Sequence, residues 1–259
     1  METLQTVDKN VLRRKVKQMY SLVAQKPKGL KLHFEMGRAL AEKLGYPSKD
    51  LDKIPKEAVA SFAGVGYHFD FADLKESNIV LDLGSGSGMD LFIAALKVGK
   101  SGKAFGLDMT DAQLQKAKDL MQRYRFTNVE LKNGYIEKLP FKDGYFDVVI
   151  SNGVINLSTE KQTVFKEVSR VLKRDGRMAI SDIISEKQLS ENIVCNPTLW
   201  AECIGGAMQK NEYKNAILSS GLKIKEMRDN NQYMFLSSGA AKATDKYGVK
   251  SISILAIKK

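Results

Sequence analysis

The chain has 259 residues, of which 43% are hydrophobic, and a formal net charge of +11. This length allows one large α/β domain with additions, or two small domains. The sequence has no run of about 20 apolar residues, which argues against a transmembrane helix. The charged N-terminal stretch has no apolar signal core, so we expect a cytoplasmic protein.

The cysteine and charge content further restrict the kinds of metal site and binding partner that the protein can have. The two cysteines, Cys195 and Cys203, accompany only two histidines, too few for a zinc site. We therefore predict no bound metal and reduced thiols. Lysines and arginines are spread along the chain without a dense basic block carrying interleaved aromatics. We expect a solvated, lysine-rich surface rather than a nucleic-acid or anionic-membrane partner.

The N-terminal part is predicted to be helical over residues 8–44, where apolar residues recur at spacings of three and four. Pro27 and Gly29 divide this stretch into two helices. Residues 46–74, which contain two prolines and two glycines, then interrupt this helical spacing of apolar residues. They indicate a segment that wraps onto the following domain.

From residue 78 onward, short apolar runs alternate with amphipathic helices. The strands are predicted at 79–84, 103–109, 129–134, 146–152 and 177–184, and the helices at 89–99, 110–124 and 161–173. Gly99 and Gly176 are expected to end the first and last helices, and Thr110 or Asp111 to cap the middle one. This alternation requires crossover connections and predicts a parallel sheet.

The alternation is interrupted at residues 186–214, which are predicted to form a mixed helical insertion. A helix over 212–221 and strands over 222–229 and 251–259 follow. We divide the chain into an N-terminal helical segment (1–75), an α/β core (76–185), the insertion (186–214) and the C-terminal part of the sheet (215–259).

The strongest motif is Asp82-Leu83-Gly84-Ser85-Gly86-Ser87-Gly88, which ends a strand and opens a helix. Glycines allow a sharp turn and close approach of a ligand, and the helix N-terminus favours a negative group. A dinucleotide site needs G-x-G-x-x-G, but here the third glycine comes one residue early and Met89 takes its place. A P-loop is absent. The alternative without a ligand is a tight strand–helix turn.

The pattern D-x-G-x-G-x-G resembles the first motif of class I methyltransferases that use S-adenosylmethionine. In nucleotide-binding folds of this kind, an acid at the end of the second strand, here Asp108, accepts bonds from the ribose hydroxyls. The resemblance places Ile136 and Glu137 against the adenine ring, although core packing explains Ile136 equally well. The predicted cofactor-binding residues are Asp82, Gly84, Ser85, Gly86, Gly88, Asp108, Met109, Ile136, Glu137 and Asn152.

Over roughly residues 40–259 the chain is similar to arsenite methyltransferases and to quinone C-methyltransferases. The similarity is carried by the runs VLDLGSGSGMDLFIAA, VISNGVINLS, RVLKRDGRMAISDI and WAECIGGA. It implies an α/β fold with a doubly wound, Rossmann-like seven-stranded sheet whose last strand is antiparallel, with N-terminal helices and a helical cap. It also implies an enzyme that transfers methyl groups in line to a small-molecule acceptor.

The cysteine set departs from that of arsenite methyltransferases. Cys203 fits the family's position in the insertion, but Val65 and Gly153 stand where further cysteines are expected, and the C-terminal region has none. Trivalent arsenic is soft and is held by two or three thiolates. We therefore expect a poor arsenite enzyme, with Cys203 either touching the substrate or packing as a small buried hydrophobe.

Methyl transfer from a sulfonium needs alignment and desolvation more than functional groups. If the acceptor must lose a proton, His68 is a candidate base, with Tyr67 beside it and Asn156 close to the incoming substrate. His68 as an ordinary packing histidine is the alternative. Two rival functions are a nucleic-acid methyltransferase, whose N/D-P-P-Y/F motif is missing after Ser151, and a non-catalytic cofactor-binding protein.

Overall fold

The computed structural model describes residues 8–25, 34–236 and 238–259, without the side chains of 237–240. Its helices are α1 (Lys9–Gln25), α2 (Gly37–Lys43), α3 (Ser48–Leu51), α4 (Lys56–Ala60), α5 (Phe69–Ala72), α6 (Met89–Val98), α7 (Asp111–Arg123), α8 (Lys161–Val171), α9 (Glu191–Val194), α10 (Pro197–Ala201), α11 (Lys210–Ser219) and α12 (Ser238–Tyr247), with a 3₁₀ turn at Ile155–Leu157. Its strands are β1 (Ile79–Leu83), β2 (Lys103–Asp108), β3 (Val129–Asn133), β4 (Phe146–Asn152), β5 (Leu172–Ser185), β6 (Met208–Gln209), β7 (Leu222–Asp229) and β8 (Lys250–Lys258).

The strands form one sheet in the order β3-β2-β1-β4-β5-β8-β7. β8 is antiparallel to both of its neighbours, and the other pairs of that order are parallel. The predicted doubly wound seven-stranded sheet with an antiparallel last strand is therefore confirmed. The sequence did not reveal β6, a two-residue strand that pairs with Ile184 and Ser185 of β5.

Helices cover both faces of the sheet because β1 and β4 are apolar on both sides. One face packs against α2, α4, α5, α6 and α7, with buried side chains such as Leu40 and Phe92. The other packs against α8 and α11, with Phe165 and Tyr213 fully buried. The strand order reverses between β1 and β4. Ligands of such sheets bind at this point, beyond the carboxyl ends of the strands.

One predicted helix boundary is corrected by the structure and two are confirmed. Gly176 does not end α8, because the helix stops at Val171 and the chain passes directly into β5. The register of β5 against β4 jumps between Phe146 and Val148, so residues 173–176 form an irregularity within the strand. Thr110 holds the N-cap position of α7, as predicted, although its side chain makes no capping bond; its N–H donates to the Asp108 carboxylate, 2.7 Å away. Gly99 does end α6, with φ 69°.

The N-terminal helical prediction is confirmed for α1 and α2 but is wrong for residues 34–36, which precede α2 without helical structure; residues 26–33 lie outside the described part. The segment 46–74 wraps onto the sheet through α3, α4 and α5, as expected. α1 packs on α7 and on α10 of the insertion. Within the described residues, no helix has the length and apolar character needed to cross a membrane. The division of the chain into four segments stays a prediction.

Candidate cofactor site

The glycine-rich loop connects β1 to α6 and is built on backbone that favours glycine. Gly84, Gly86 and Gly88 have φ of 68°, 53° and 96°. A Cβ on Gly88 would lie 2.8 Å from the ring of Phe92, and one on Gly84 would collide with Val154. The Gly84 and Ser85 N–H groups donate to the Leu107 carbonyl at 2.7 and 3.1 Å, which fastens the loop to β2. The loop is therefore tightly packed where it faces Val154 and Phe92, and its other side lines a cavity.

Asp108 lies at the end of β2, beside this loop. Its Oδ2 accepts the Gly86 N–H at 2.9 Å, and its Oδ1 accepts the Thr110 N–H at 2.7 Å. Burial raises the pKa of Asp108, while the two backbone bonds oppose that shift. Each carboxylate oxygen keeps a second lone pair for a ligand hydroxyl. The carboxylate is thus held in position independently of any ligand.

A single cavity joins the loop to the ends of β2, β3 and β4. It is lined by nine of the ten residues predicted to bind the cofactor: Asp82, Gly84, Ser85, Gly86, Asp108, Met109, Ile136, Glu137 and Asn152. Gly88 lies behind the loop as the N-cap residue of α6. The structure therefore brings residues from four separate stretches of the chain to one cavity.

The buried polar groups of this cavity fit a ligand with both donors and acceptors. Asp82 Oδ2 and the Ser85 hydroxyl are buried and have no hydrogen-bond partner among the described residues. Unpaired buried polar atoms are costly unless a ligand or water satisfies them. A nucleoside with an amino-acid tail carries complementary groups, so the residues present fit S-adenosylmethionine.

Asn152, at the end of β4, organises the wall opposite the loop. Its Oδ1 accepts the Val65 N–H at 2.7 Å, and its Nδ2 donates to the Gly66 carbonyl at 3.0 Å. The same Nδ2 also lies 3.2 Å from Asp90 Oδ2. Asn152 therefore fastens the wrapped N-terminal segment to the sheet at the cavity edge.

The three residues predicted to assist catalysis lie outside the described lining of the cavity. His68 is fully buried against Phe69, and burial lowers its pKa to about 3. Tyr67 packs edge-on against Tyr46, and burial raises its pKa to about 12. Asn156 is fully buried and donates to the Cys203 carbonyl at 2.9 Å. This placement does not support His68 as a base and favours the packing alternative.

Cys203 lies directly behind the cavity wall. Its Sγ is 3.8 Å from the Gly153 carbonyl oxygen and 4.0 Å from the hydroxyl of Tyr20, and both of those residues line the cavity. Burial raises the pKa of the thiol to about 11. A Cβ on Gly153 would be 3.2 Å from Val65 Cγ1. Val65, Gly153 and Cys203 thus converge, with one thiol among them.

Helix α1 forms a side of the cavity that the motifs did not reveal. Its residues Leu12, Val16 and Tyr20 line the cavity, and Gln113 donates to the Tyr20 carbonyl at 3.0 Å. At its other end, Lys9 pairs with Glu160 at 3.0 Å. The apolar periodicity of α1 was visible in the sequence, but the surface it covers was not.

Asp90 and Tyr46 are two further polar residues that sequence reasoning missed. Asp90 stands in the first turn of α6, lines the cavity and accepts a 2.8 Å bond from the Tyr46 hydroxyl. Asp90 follows the glycine motif directly, which is the one signal that could have drawn attention to it. Tyr46 comes from the wrapped segment, far away in sequence.

A doubly wound sheet with a D-x-G-x-G-x-G loop after β1 and an acid at the end of β2 defines a class I methyltransferase, whose cofactor is S-adenosylmethionine. The sequence profile of the family described as Methyltransferase domain matches residues 74–221, more than half of the chain. The chain therefore belongs to the Methyltransferase domain family.

Relatives of known function lie among metalloid and quinone methyltransferases. The arsenite methyltransferase of Halobacterium salinarum is 36% identical over 187 residues, which are 72% of this chain and 48% of that protein. The human arsenite methyltransferase is 43% identical over 138 residues, 50% of this chain and 37% of that protein. The ubiquinone/menaquinone biosynthesis C-methyltransferase of Azotobacter vinelandii is 33% identical over 116 residues, 44% of this chain and 46% of that protein. The matches thus span about half or less of these relatives.

Solved structures agree with this placement. An arsenic (III) S-adenosylmethionine methyltransferase from Chlamydomonas reinhardtii superposes with a TM-score of 0.65 at 30% identity, covering 87% of this chain and 75% of that one. A geranyl diphosphate C-methyltransferase from Streptomyces coelicolor, in complex with S-adenosyl-L-homocysteine, gives a TM-score of 0.65 at 17% identity, covering 94% and 98%. The second likeness concerns the fold alone.

Proposed function

We propose that this chain transfers the methyl group of S-adenosylmethionine to a small-molecule acceptor. The observation that carries the proposal is the meeting, in one cavity, of the glycine loop before α6 and the fixed Asp108 carboxylate. The cofactor's sulfonium supplies a methyl group that is already activated for displacement. The protein's task is then mainly alignment and exclusion of water.

In this proposal each part of the cavity has its own task. The loop Gly84–Gly86 approaches the methionine half, the Asp108 oxygens accept the ribose hydroxyls, and Ile136 with Met109 packs against the base. Asn152 holds Val65 and Gly66 in place at the cavity edge. Helix α1 lines one side of the cavity, where it would shield the reacting groups from water.

The acceptor end is the region near Tyr20, Gly153 and Leu157, which is largely apolar. Its polar groups include the Tyr20 hydroxyl, the side chains of Ser158 and Thr159 beside Leu157, and the thiol of Cys203 just behind the wall. Burial keeps the Tyr20 hydroxyl and the Cys203 thiol protonated, because it raises the pKa of each. These features support an uncharged small organic acceptor rather than one that requires a strong base.

Calorimetric titration tests the proposed cofactor. S-adenosylhomocysteine should give a saturable signal, whereas NADH should give none, because the third glycine stands at Gly88 rather than one residue later. Binding of NADH without any response to S-adenosylhomocysteine would contradict the proposal. Turnover is then measured as S-adenosylhomocysteine release with candidate acceptors. Cofactor binding without turnover on any acceptor would favour a non-catalytic cofactor-binding protein.

Arsenite methylation is the second candidate function. It is favoured by the name shared by several relatives and by the position of Cys203 beside the cavity. Val65 and Gly153 stand at converging positions where arsenite methyltransferases are expected to carry cysteines, which weighs against it.

Cytoplasmic localisation stays a prediction from the sequence.

A further inference from the structure

Two side chains of α7 hold the C-terminal half of α1 through its backbone carbonyl groups. The Gln113 amide donates to the Tyr20 carbonyl at 3.0 Å. The Lys116 ammonium donates to the Ala24 carbonyl, also at 3.0 Å. The two donors stand three residues apart on α7 and the two acceptors four residues apart on α1, so each pair lies on one face of its helix. The bonds therefore join the two helices side by side.

Gln113 differs from Lys116 because it also contacts the glycine-rich loop. Its Oε1 accepts the Ser87 hydroxyl at 2.5 Å, and a Cβ on Gly86 would lie 3.7 Å from the same oxygen. Lys116 instead donates to the Ser61 hydroxyl at 2.7 Å, outside the loop. Gln113 and Ser87 are only 2% and 5% exposed, so their bond is shielded from water. One buried amide thus connects the loop to α1.

The chemistry of the two partners fixes the orientation of this amide. A backbone carbonyl only accepts hydrogen bonds, so the Tyr20 carbonyl requires the NH₂ group of Gln113, and Oε1 is turned toward Ser87. The side chain of Tyr20 lines the cavity at the acceptor end, with its hydroxyl 4.0 Å from Cys203 Sγ. The connection therefore runs from the loop to the residue of α1 that lies at the acceptor end.

We propose that Gln113 is a positioning residue that couples the glycine-rich loop to helix α1, so that a cofactor bound against the loop holds Tyr20 in place at the acceptor end. The inference rests on the proposed function. When α1 moves away from an ordered loop, the amide of Gln113 stays bonded to Ser87 and its NH₂ group is left buried without an acceptor. A loop without ligand lets the amide turn to another partner. Opening of α1 is therefore less favourable when the loop is occupied.

The test is tryptic cleavage of the full chain within α1, which reports opening of the helix at its basic residues Arg13, Arg14, Lys15 and Lys17. In wild type, saturating S-adenosylhomocysteine should slow this cleavage. Gln113→Met keeps the length of the side chain but lacks both polar groups. In this variant the slowing should be smaller than in wild type by about two- to tenfold, the effect of one net hydrogen bond. Calorimetry confirms saturation, so the comparison does not depend on affinity.

Three further variants separate this coupling from a general loosening of α1. Lys116→Met removes the other bond to α1, so cleavage should be faster in the free protein while the ligand slows it by the wild-type factor. Gln115→Met, at an exposed position of α7, should behave like wild type. Ser87→Ala removes the loop side of the connection and should reduce the slowing as Gln113→Met does. It carries the test if Gln113→Met does not fold.

The outcomes distinguish this inference from the proposed function. If wild type does not bind S-adenosylhomocysteine at all, the proposed function itself fails. Binding that leaves cleavage unchanged in wild type, or slows it equally in wild type, Gln113→Met and Ser87→Ala, overturns this inference alone. An equal reduction of the slowing in Lys116→Met also overturns it, because any weakening of α1 would then have the same effect.

Discussion

At the scale of single residues, His68 shows how burial decides the role of a titratable group. Its ring is fully buried, and neither ring nitrogen has a hydrogen-bond partner within the described residues. The charge of Asp70 opposes the downward shift of its pKa. A histidine in such a place stays neutral at ordinary pH and is coupled to stability instead of catalysis.

We expect the protein to lose stability through His68 as the pH falls from 6.5 to about 3. The unfolded histidine has the ordinary pKa of 6.5 and the folded one has a pKa of about 3, so the unfolded state binds the extra proton between them. By pH 4.5 this loss amounts to about 2–3 kcal/mol. Urea unfolding of wild type and His68→Phe at pH 7 and 4.5 measures it.

Comparing the change in unfolding free energy between the two proteins cancels the contributions of all other titratable groups. These include the acids with raised pKa values, whose contribution to stability changes in the opposite direction. His68→Phe should therefore lose less stability than wild type between the two pH values. An equal loss in both proteins would show that the His68 ring can reach solvent and accept a proton in the folded state.

Asp108 is the residue whose replacement should separate cofactor affinity from folding. Charge-assisted hydrogen bonds contribute about 1.5–3 kcal/mol each, so loss of two ribose bonds in Asp108→Ala should weaken S-adenosylhomocysteine binding by about a hundredfold to ten-thousandfold. Asp119→Ala, an exposed acid on α7, is the control and should bind normally. Circular dichroism checks that both variants are folded. Unchanged affinity in Asp108→Ala would mean that the ribose lies elsewhere.

At the scale of elements, α1 is an amphipathic helix whose apolar side covers the cavity. Leu12 and Val16 are 2% and 3% exposed and line it, while Lys15 on the same helix is exposed. The helix is tied down at its C-terminal end by Lys116, whose Nζ donates to the Ala24 carbonyl at 3.0 Å. A ligand under α1 should therefore hold the helix in place, and loss of α1 packing should open the cavity.

Val16→Asp should weaken S-adenosylhomocysteine binding by about tenfold or more, because burying the new carboxylate costs several kcal/mol and favours a displaced helix. Lys15→Asp changes the neighbouring residue on the exposed side and should bind normally. The readout is calorimetry together with tryptic cleavage within α1, which the ligand should slow in wild type and in Lys15→Asp only. Normal affinity in Val16→Asp would show that α1 does not contribute to closing the site.

At the scale of the whole molecule, the fold brings three distant positions to one place beside the cavity. Val65 comes from the wrapped segment, Gly153 follows β4, and Cys203 follows α10 in the insertion. Cys203 Sγ is 3.8 Å from the Gly153 carbonyl, and a Cβ at Gly153 would be 3.2 Å from Val65. A protein with thiols at all three positions could surround a soft ion, but here one thiol stands alone.

We therefore expect no efficient methylation of arsenite. Trivalent arsenic is bound through several thiolates, and a single bond to Cys203 would not fix the in-line angle that methyl transfer needs. The test is incubation with arsenite, a thiol and S-adenosylmethionine, followed by speciation of arsenic. Methylarsenicals formed over many turnovers, and abolished by Cys203→Ser, would contradict the prediction and favour arsenite as the substrate.

The sequence alone determined those features that depend on neighbours along the chain. Strands β1 to β5, β7 and β8 follow from apolar or alternating runs, and the loop after β1 follows from three glycines that no other residue replaces easily at positive φ. Asp108 could be identified because its strand ends there. The doubly wound order then followed from the resemblance and from the alternation of strands and helices.

Only the tertiary structure decided what meets across long separations. It placed α1 over the cavity, brought Tyr46 to Asp90, and buried His68 away from the cavity lining. An apolar stripe shows that a helix will be buried but not against which partner, and a histidine looks the same in sequence whether it is buried or exposed. Packing between distant segments sets burial, and burial sets the charge state and therefore the chemistry available to each group.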